Sequence, residues 1–583
     1  VSVKMDGNDV SSETVTVGDS NCNFAVSVVT RPAALPELSY HVFQGVYADG
    51  QTATGGIRVW KNPFIYGSWA AFPITEGSDE MAKAWLDTCQ DRGINTLEMN
   101  GDAGLMDFLG KSAGKAYADS RNYGIIKDSP VWGTWGDNPR LWFINDEPDC
   151  EEANLLNNFC GTGLKLPCGS NQAGTMGMHY ISVGEGLRNT KNRPTTINLD
   201  GTWKPYSWYA YGQLSDCLCI DHYYQPKVRH AYTDLPHTLP LYTKALVIYA
   251  TARAGTRAAE PNPYRQLLYS CQINGDGPRD PWPWAAPETK RTEVYYALAG
   301  GAKGIGYWWF KKAPSASNGL GDTNLRAQDP ALWKEIGLCG AEIKTLQPYL
   351  VTSHPVDLDV TGSTHVWVRA LAHGTDTLIL IAVNDNHWND EYWHGVDTPN
   401  ATATVTLPAW MRSPSPTAFE FSRAGLRNVT TGITGNRMQI SLGTLQVTKL
   451  VIITTNPLLR MTIQDRYDRL SWPGICNFAP DVCNAIQSAP TILTQPTGKA
   501  VLRGGSATFA VTADGGSPFS FQWQKNEVNL SDGGHYSGCR TFALTVSSVD
   551  ASDEASYRCI VTNPYGSATT HAATLMISTV TIT

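Results

Sequence analysis

The chain has 583 residues, 42% of them hydrophobic, and its formal net charge at pH 7 is -8. This length predicts about three or four domains, and the acidic balance argues against a nucleic acid or an anionic membrane surface as a partner. No run of about eighteen apolar residues occurs, so we expect no membrane span. The sequence does not indicate an oligomeric state.

The first residues of the chain and its cysteines indicate the cellular compartment of the protein. The chain begins at Val1 without a charged and apolar leader, which fits a mature protein whose signal peptide has been removed. Its 13 cysteines are many for a reducing compartment, and Cys476 and Cys483 flank a short loop suited to a disulfide. We therefore expect a secreted or extracytoplasmic protein of bacterial type.

Residues 1–60 contain alternating segments such as Glu13–Val17 and Phe24–Val29, which predict an N-terminal β region. From residue 61 to residue 350 strands and helices alternate, and this predicts parallel strands joined by crossovers. Eight strands are predicted there, at residues 64–69, 94–100, 123–126, 141–147, 195–200, 217–224, 266–272 and 303–310. The predicted fold class is therefore α/β, a TIM (β/α)8 barrel with accessory all-β domains.

After residue 350 the helical period disappears. We predict a β-sandwich at 351–456, a linker at 457–488 and an immunoglobulin-like domain at 489–583. In the last segment Trp523 resembles the strand C tryptophan of a bacterial immunoglobulin-like module, and Tyr557 precedes Cys559 by two residues, as in a tyrosine corner. The usual strand B cysteine is absent, so either Cys539 takes its place or Cys559 is free.

The segment Leu141–Asp149 is an apolar run that ends on three carboxylates. Pro148 cannot donate to a sheet ladder, so the strand must end near Glu147, at the end of a barrel strand where catalytic residues lie. Asn145-Asp146-Glu147-Pro148 resembles the Asn-Glu-Pro that ends the fourth strand of many retaining glycoside hydrolases, and more closely the Asp-Glu-Pro of glycoside hydrolase family 123. Tyr295–Trp309 also resembles the last helix and strand of such barrels.

Cleavage of a glycosidic bond needs a protonated carboxyl beside the leaving oxygen and a second group at the oxocarbenium-like centre. The resemblance implies that Glu147 is the general acid/base of a retaining enzyme. Asp146 has two alternative roles. It points away, as strand neighbours do, and only supports the site, or, as family 123 implies, it polarises a substrate 2-acetamido group that acts as the nucleophile.

A second carboxylate is harder to place. Retaining enzymes keep a nucleophilic Glu on the seventh strand, but Ser270–Asn274 offers only amides. Asp221, which ends the sixth strand, is the best placed alternative for a catalytic role. Polar side chains at the other strand ends are expected to bind sugar hydroxyls: Asn145, Glu98, Asn100, Asp200, Gln272 and Asn274.

Aromatic rings match the apolar faces of sugars, and the chain has 19 tryptophans. We predict a cleft lined by aromatic side chains at or beyond the strand ends, namely Trp69, Trp203, Tyr223, Tyr224, Trp282, Trp308 and Trp309. Cys217 and Cys219 have the spacing of metal ligands, but no second pair of Cys or His lies close in the sequence. We therefore expect no metal, and no cofactor, because neither a Gly-rich phosphate loop nor a His-Glu-x-x-His motif is present.

Together these features predict a secreted, multidomain glycoside hydrolase that acts on an oligo- or polysaccharide. One alternative is a substrate-assisted N-acetylhexosaminidase that uses Asp146 and Glu147. Another is a non-catalytic carbohydrate-binding or adhesion protein on a barrel scaffold, because the seventh-strand Glu is missing and a fold does not determine a function.

Overall fold

The structure is a computed structural model. It describes residues 2–5, 7–9, 14–19, 22–29, 40–46, 50, 52–58, 64–69, 78–99, 108–121, 123–128, 141–146, 194–200, 208–209, 211–212, 214–221, 241–260, 262–269, 286–308, 329–386 and 395–578. None of the helices within these residues is long and apolar enough to cross a membrane.

Short antiparallel strands form the N-terminal region. They are β1 (Ser2–Met5), β2 (Asn8–Asp9), β3 (Thr14–Asp19), β4 (Cys22–Val29), β5 (Tyr40–Val46) and β6 (Thr52–Arg58). Strands β2, β1, β5 and β6 make one sheet in that order, and β3 pairs with β4 as a separate hairpin. Their alternating sequences, such as Cys22–Val29, are typical of strands with one buried face.

Eight parallel strands follow and close into a barrel. They are β7 (Ile65–Trp69), β8 (Thr96–Met99), β9 (Gly124–Asp128), β10 (Leu141–Asp146), β11 (Thr195–Asp200), β12 (Cys217–Asp221), β13 (Tyr264–Tyr269) and β14 (Gly304–Trp308). Each strand pairs with the next along the chain, and β14 pairs back with β7.

Five helices of two or more turns are described around this sheet. They are α1 (Asp79–Asp91), α2 (Ser112–Ser120), α3 (Leu241–Ala259), α4 (Pro287–Gly300) and α5 (Pro330–Thr352). Helix α1 begins after Ser78, whose side chain accepts a hydrogen bond from the Met81 N–H. Helices α3 and α4 pack closely, since a Cβ added to Gly300 would lie 2.5 Å from the Cβ of Ala252.

These helices correct the predicted fold class. A TIM (β/α)8 barrel has a helix after every strand, but the described residues place α1 after β7, α2 after β8, α3 after β12, α4 after β13 and α5 after β14. The structure therefore shows a closed parallel sheet without the predicted eightfold layer of helices in its described part. The α/β class also does not fit the whole chain, because every sheet beyond the barrel is formed without crossover helices.

A β-sandwich follows the barrel. Its strands are β15 (His354–Val356), β16 (Val360–Gly362), β17 (Val366–His373), β18 (Thr377–Asn384), β19 (Thr398–Thr406), β20 (Thr417–Ser422), β21 (Gly425–Asn428), β22 (Thr431–Thr434), β23 (Arg437–Leu445) and β24 (Thr448–Thr454). They form a six-stranded sheet, β15-β17-β18-β24-β20-β21, packed on a four-stranded sheet, β16-β19-β23-β22.

The six-stranded sheet is apolar on both faces. One face, with Leu378 and Leu380, packs inside the sandwich. The other face, with Ile379 and Ile381, belongs to the same apolar cluster as the helices around the barrel. Every residue of β18 is consequently buried, and the barrel and the sandwich share one hydrophobic core.

Residues 457–488 contain helices α6 (Leu459–Arg466), α7 (Trp472–Phe478) and α8 (Pro480–Cys483), with a π-turn at Tyr467–Ser471. A disulfide joins Cys476 to Cys483, as predicted. The segment packs on the barrel helices: the Ser471 hydroxyl donates to the Ala341 carbonyl over 2.8 Å, and the Arg92 guanidinium lies 4.7 Å from the centre of the Phe478 ring.

The C-terminal domain is built from strands, with one 3-10 turn at Ala551–Asp553. The strands are β25 (Thr491–Thr494), β26 (Lys499–Val501), β27 (Ala507–Ala510), β28 (Thr512–Asp514), β29 (Ser520–Lys525), β30 (Val528–Asn529), β31 (Tyr536–Ser537), β32 (Ala543–Val546), β33 (Ala555–Asn563), β34 (Gly566–Thr569) and β35 (Ala573–Ile577).

The core of this domain confirms the predicted immunoglobulin-like pattern. Trp523 is fully buried, and the Tyr557 hydroxyl donates to the Asp553 carbonyl over 2.8 Å, as a tyrosine corner requires. Cys539 and Cys559 are both buried and free, so Cys539 does not replace the missing partner cysteine. The domain is held against α6, where Arg460 donates to the Ala513 carbonyl over 2.6 Å.

Candidate active site at the barrel rim

The interior of the barrel is filled by alternate residues of its strands. An apolar cluster inside the sheet contains Ile65, Ile126, Leu141, Phe143, Cys217, Cys219 and Leu267. Because side chains alternate along a strand, Asp221 shares the interior face of β12 with Cys217 and Cys219. It lies at the carboxyl end of that strand, so it caps the packed interior at the rim.

The neighbouring strands β9, β10, β11 and β12 each end on an aspartate at this rim, and the last three of these aspartates are predicted site residues. Asp200, the last residue of β11, is opposite Asp221, the last residue of β12. Asp146, the last residue of β10, is opposite Asn198 of β11. The structure thus brings three predicted site residues, Asp146, Asp200 and Asp221, to one side of the barrel mouth.

A register shift in β10 produces this arrangement. Phe143 is opposite Thr196, so an unbroken register would put Asn145 opposite Asn198. The irregularity between Phe143 and Asp146 moves Asp146 into that place instead. Bulges of this kind occur often beside active sites, where they redirect one residue of a strand. The two roles considered for Asp146 therefore both remain predictions.

Asp221 is almost fully buried, with 3% of its surface exposed. Its Oδ2 accepts a hydrogen bond from the Nδ2 of Asn198 over 3.3 Å. Asn198 is itself 1% exposed and was not among the predicted site residues. The signal that could have found it is the two-residue spacing from Asp200, because residues two apart share a strand face.

Glu98, predicted as a ligand of sugar hydroxyls, has a protein partner in the barrel interior. Its two carboxylate oxygens accept hydrogen bonds from Arg265 over 2.9 and 2.6 Å, and the Arg265 side chain is 0% exposed. Arg265 also reaches the Cys219 sulfur at 3.3 Å. The sequence analysis missed Arg265, although a lone cation in the strand Tyr264–Tyr269 indicates a buried counter-charge.

Two glycines of β14 make room for the arginine. A Cβ added to Gly304 would lie 2.9 Å from the Cγ of Arg265, and one added to Gly306 would lie 3.8 Å from its Cζ. These glycines therefore face the barrel interior, where they leave space for the Arg265 side chain.

The interior cysteines are protonated thiols at neutral pH. Burial raises the pKa of the Cys217 thiol to about 11, and burial, opposed by Arg265, also raises the pKa of Cys219. Within the described ranges one cluster of His and carboxylate groups is close enough to hold a cation, at His535, Asp550 and Asp553. In this cluster the Asp553 carboxylate accepts a hydrogen bond from the Asp550 backbone N–H and shares one with His535 Nδ1.

The other predicted site residues fall into two groups. Asn145, Trp69 and Trp308 lie at or next to the carboxyl ends of β10, β7 and β14, and Trp69 is opposite Glu98 in the sheet. The remaining predicted site residues lie outside the described residues: Glu147, Asn100, Trp203, Tyr223, Tyr224, Gln272, Asn274, Trp282 and Trp309.

Comparison with known proteins identifies one part of the chain. Residues 490–577 match the profile of the immunoglobulin I-set domain. The Ig1-2 module of the Drosophila receptor protein tyrosine phosphatase DLAR is 31% identical over 16% of this chain and 50% of its own, with a TM-score of 0.14. Titin domain M4 is 25% identical over 16% of this chain and 98% of its own, with a TM-score of 0.15.

A third solved structure, titin domain M7, is 28% identical over 16% of this chain and 98% of its own, with a TM-score of 0.14. No curated protein matches the chain. The comparisons therefore place an immunoglobulin I-set domain at residues 490–577 of a multidomain protein.

Proposed function

We propose that this protein is a glycoside hydrolase in which Glu147 is the general acid/base. The observation that supports this proposal is the row of aspartates at the carboxyl ends of β10, β11 and β12. Glu147 follows Asp146 directly in the chain, and hydrolysis of a glycosidic bond uses two carboxyl groups that flank the scissile bond. The Asn-Asp-Glu-Pro motif supports the same assignment.

Asp221 is the second carboxylate that this proposal favours. The described residues place two predicted site carboxylates, Glu98 and Asp221, inside the barrel. Arg265 binds Glu98 through a two-bond contact inside the barrel, whereas Asp221 ends its strand at the rim, beside the aspartate that ends β11. A carboxyl group at the rim is the one placed to flank a bound glycosidic bond.

The register of Asp146 also supports a substrate-assisted variant of the same reaction. The shift in β10 puts Asp146 opposite Asn198, on the row that ends in Asp200 and Asp221. In this variant Asp146 orients the 2-acetamido group of an N-acetylhexosaminide while Glu147 protonates the leaving oxygen.

A second candidate function is carbohydrate binding or adhesion without turnover. The I-set match at residues 490–577 favours it, because immunoglobulin-like domains are common in binding proteins. For either function we propose an extracytoplasmic location. The Cys476–Cys483 disulfide supports this location, since disulfides persist in oxidising compartments.

The test is release of the aglycone from aryl hexosides and aryl N-acetylhexosaminides by the wild type, Glu147→Gln and Asp221→Asn. Asp119→Asn is the control, since Asp119 is exposed on α2 and pairs only with Lys115 in its described contacts. We expect turnover to fall by about 10²- to 10⁴-fold in Glu147→Gln and to be unchanged in Asp119→Asn.

The substrate panel separates the candidates. Turnover restricted to N-acetyl sugars, with Asp221→Asn active, favours the substrate-assisted variant. Turnover of plain hexosides that is lost in Asp221→Asn favours the two-carboxylate reaction. Binding of an oligosaccharide by both the wild type and Glu147→Gln, without turnover by either, contradicts the hydrolase proposal and leaves the binding function.

A further inference from the structure

The immunoglobulin-like domain and the barrel have separate apolar cores. The core of the domain is a cluster of its own around Trp523 and Tyr557, whereas the barrel and the sandwich share one cluster. A boundary between domains that is not large and apolar permits the domains to move relative to each other. The position of the immunoglobulin-like domain therefore depends on the polar contacts that it makes with the rest of the chain.

One face of α6 and of the π-turn after it supplies these contacts. Its residues recur at helical spacing, and they are Arg460, Met461, Gln464 and Asp468. All four bond to groups in residues 513–519 of the domain. Gln464 donates to the Ser517 hydroxyl over 3.0 Å, and the Phe519 N–H donates to Asp468 over 2.9 Å. We call this set of hydrogen bonds the docking contact.

Asp468 brings a carboxylate to the docking contact. Besides the Phe519 N–H it accepts a hydrogen bond from Gln464 over 2.8 Å, and the Ser517 side chain also hydrogen-bonds it. Burial raises the pKa of Asp468 to about 6, although the three hydrogen bonds lower it. Release of the domain would remove the cover from this carboxylate and return its pKa towards the unperturbed value of about 3.9.

Other charged and titratable groups surround the docking contact. They are Asp465, Arg466, Tyr467 and Arg469 on the same segment, Glu342 and Lys344 on α5, Arg423 beside β20, and Arg460 with Asp514 at the domain boundary. The nearby Asp465 also raises the pKa of Asp468, as a like charge does. The hydrogen-bond partners of Asp468 in the described part of the chain are neutral, so burial penalises its charge without a compensating cation.

We propose that protonation of Asp468 in mildly acidic solution tightens the docking contact, so that the immunoglobulin-like domain is held on α6 there and is released more often at neutral pH. A protonated carboxyl keeps an acceptor oxygen for the Phe519 N–H, and it no longer carries the cost of a buried charge. The domain is therefore a module whose position responds to the pH of its surroundings. This inference does not depend on whether the barrel hydrolyses a glycoside.

The test is hydrogen exchange of the Phe519 amide in the full chain, because this N–H is bonded across the docking contact. The measured rates are divided into the intrinsic rates at each pH to give protection factors. The pKa of Asp468 is about 6 in the docked state and about 3.9 in the released state. The protection factor of Phe519 should therefore be about tenfold greater at about pH 5 than at about pH 7.

A second amide separates release of the domain from its unfolding. The Trp523 N–H donates to the Cys539 carbonyl inside the domain over 2.9 Å, so it exchanges when the domain itself opens. At neutral pH the Phe519 amide should have a lower protection factor than the Trp523 amide, because the docking contact opens while the domain stays folded. Equal protection factors would show that the domain is released only by unfolding, and they overturn the proposal.

Three variants assign the pH dependence to Asp468. Asp468→Asn should abolish it, since an amide does not titrate, and the matched control Asp465→Asn should keep it, because that carboxylate is partly exposed and pairs with Arg469. Ser517→Ala removes a donor to the ionised form, so the midpoint of the transition should move to higher pH, and this variant serves if Asp468→Asn does not fold. A protection factor that is equal at both pH values, a pH dependence that persists in folded Asp468→Asn, or an unmoved midpoint in Ser517→Ala overturns the proposal.

Discussion

Two buried arginines are paired with glutamates in the part of the chain that the structure describes, and they have different surroundings. Arg265 lies inside the barrel with one carboxylate, Glu98, and a thiol. Arg291 lies on α4, where it binds Glu335 and contacts both oxygens of Glu342 at 3.0 and 3.1 Å. The first pair fills the interior of one sheet, whereas the second joins two helices of the barrel layer.

The cluster around Arg291 also connects the barrel to the sandwich. Arg423, next to β20, donates to Glu335 over 2.8 Å, and Tyr295 donates to Glu342 over 2.7 Å. Although burial raises the pKa of Glu335, Arg291 and Arg423 together lower it below its usual value. Arg291, with two anionic partners, therefore belongs to a network that links the barrel helices to the sandwich. Arg265, with one anionic partner, stabilises the barrel interior alone.

The largest effect should follow from Arg291→Met. The substitution leaves two buried carboxylates without their shared cation, and we expect a loss of about 3 to 5 kcal/mol in the free energy of unfolding, measured by urea denaturation. The control is Arg423→Met, whose native side chain is 39% exposed. It should cost less than about 1 kcal/mol. Equal losses of unfolding free energy in the two variants would contradict the view that Arg291 contributes more to stability than the partly exposed Arg423.

Arg265→Met should have the next largest effect, about 3 kcal/mol at neutral pH, because only Glu98 is left without a counter-charge. The double variant Arg265→Met/Glu98→Gln should recover most of the loss, because a buried ion pair can often be replaced without penalty. Urea denaturation of the single and double variants provides the test, and a double variant no better than the single one argues against this interpretation.

Asp468, a partly buried carboxylate with neutral donors, extends the comparison. Asp468 accepts hydrogen bonds from Gln464 over 2.8 Å and from the Phe519 N–H over 2.9 Å. Burial raises its pKa to about 6, while an unfolded aspartate has a pKa of about 3.9. Between these values the folded protein binds a proton that the unfolded chain does not, so stability should fall as pH rises and level off above the higher value.

This effect should be the smallest of the three, less than about 3 kcal/mol, since one pKa unit corresponds to about 1.4 kcal/mol. The slope should disappear in Asp468→Asn and persist in Asp465→Asn, whose native carboxylate is half-exposed and pairs with Arg469. Urea midpoints measured at half-unit intervals of pH provide the test. A slope that is unchanged in Asp468→Asn would assign the pH dependence to another group.

Much of the strand order could be predicted because apolar runs bounded by turn residues mark buried strands. The helical layer could not be predicted completely, since the crossover of a parallel pair does not have to be a long helix. The sequence of β18 also indicates how the sandwich packs. Leu378–Val383 is apolar at consecutive positions, which is typical of a strand buried on both faces, and one of these faces packs on the barrel.

The residue types at the candidate site could be predicted from the sequence, but the contacts between those residues could not. Aspartates at strand ends were visible in the sequence, and three of them end neighbouring strands. The register shift in β10 and the partnership of Glu98 with Arg265 depend on contacts between residues far apart in the chain. Local patterns do not report such contacts, because a carboxylate at a strand end looks the same whether it meets solvent or an arginine.

The hydrophobic core that the barrel and the sandwich share limits where the chain can be truncated without loss of folding. Tyr296 of α4 packs edge-on against Trp367 of β17 with ring centres 4.7 Å apart, within the cluster that contains both regions. A fragment ending after α5 would expose this apolar surface to water and tend to aggregate. The smallest fragment expected to fold therefore includes both the barrel and the sandwich. Recombination between proteins would have to transfer these two regions together.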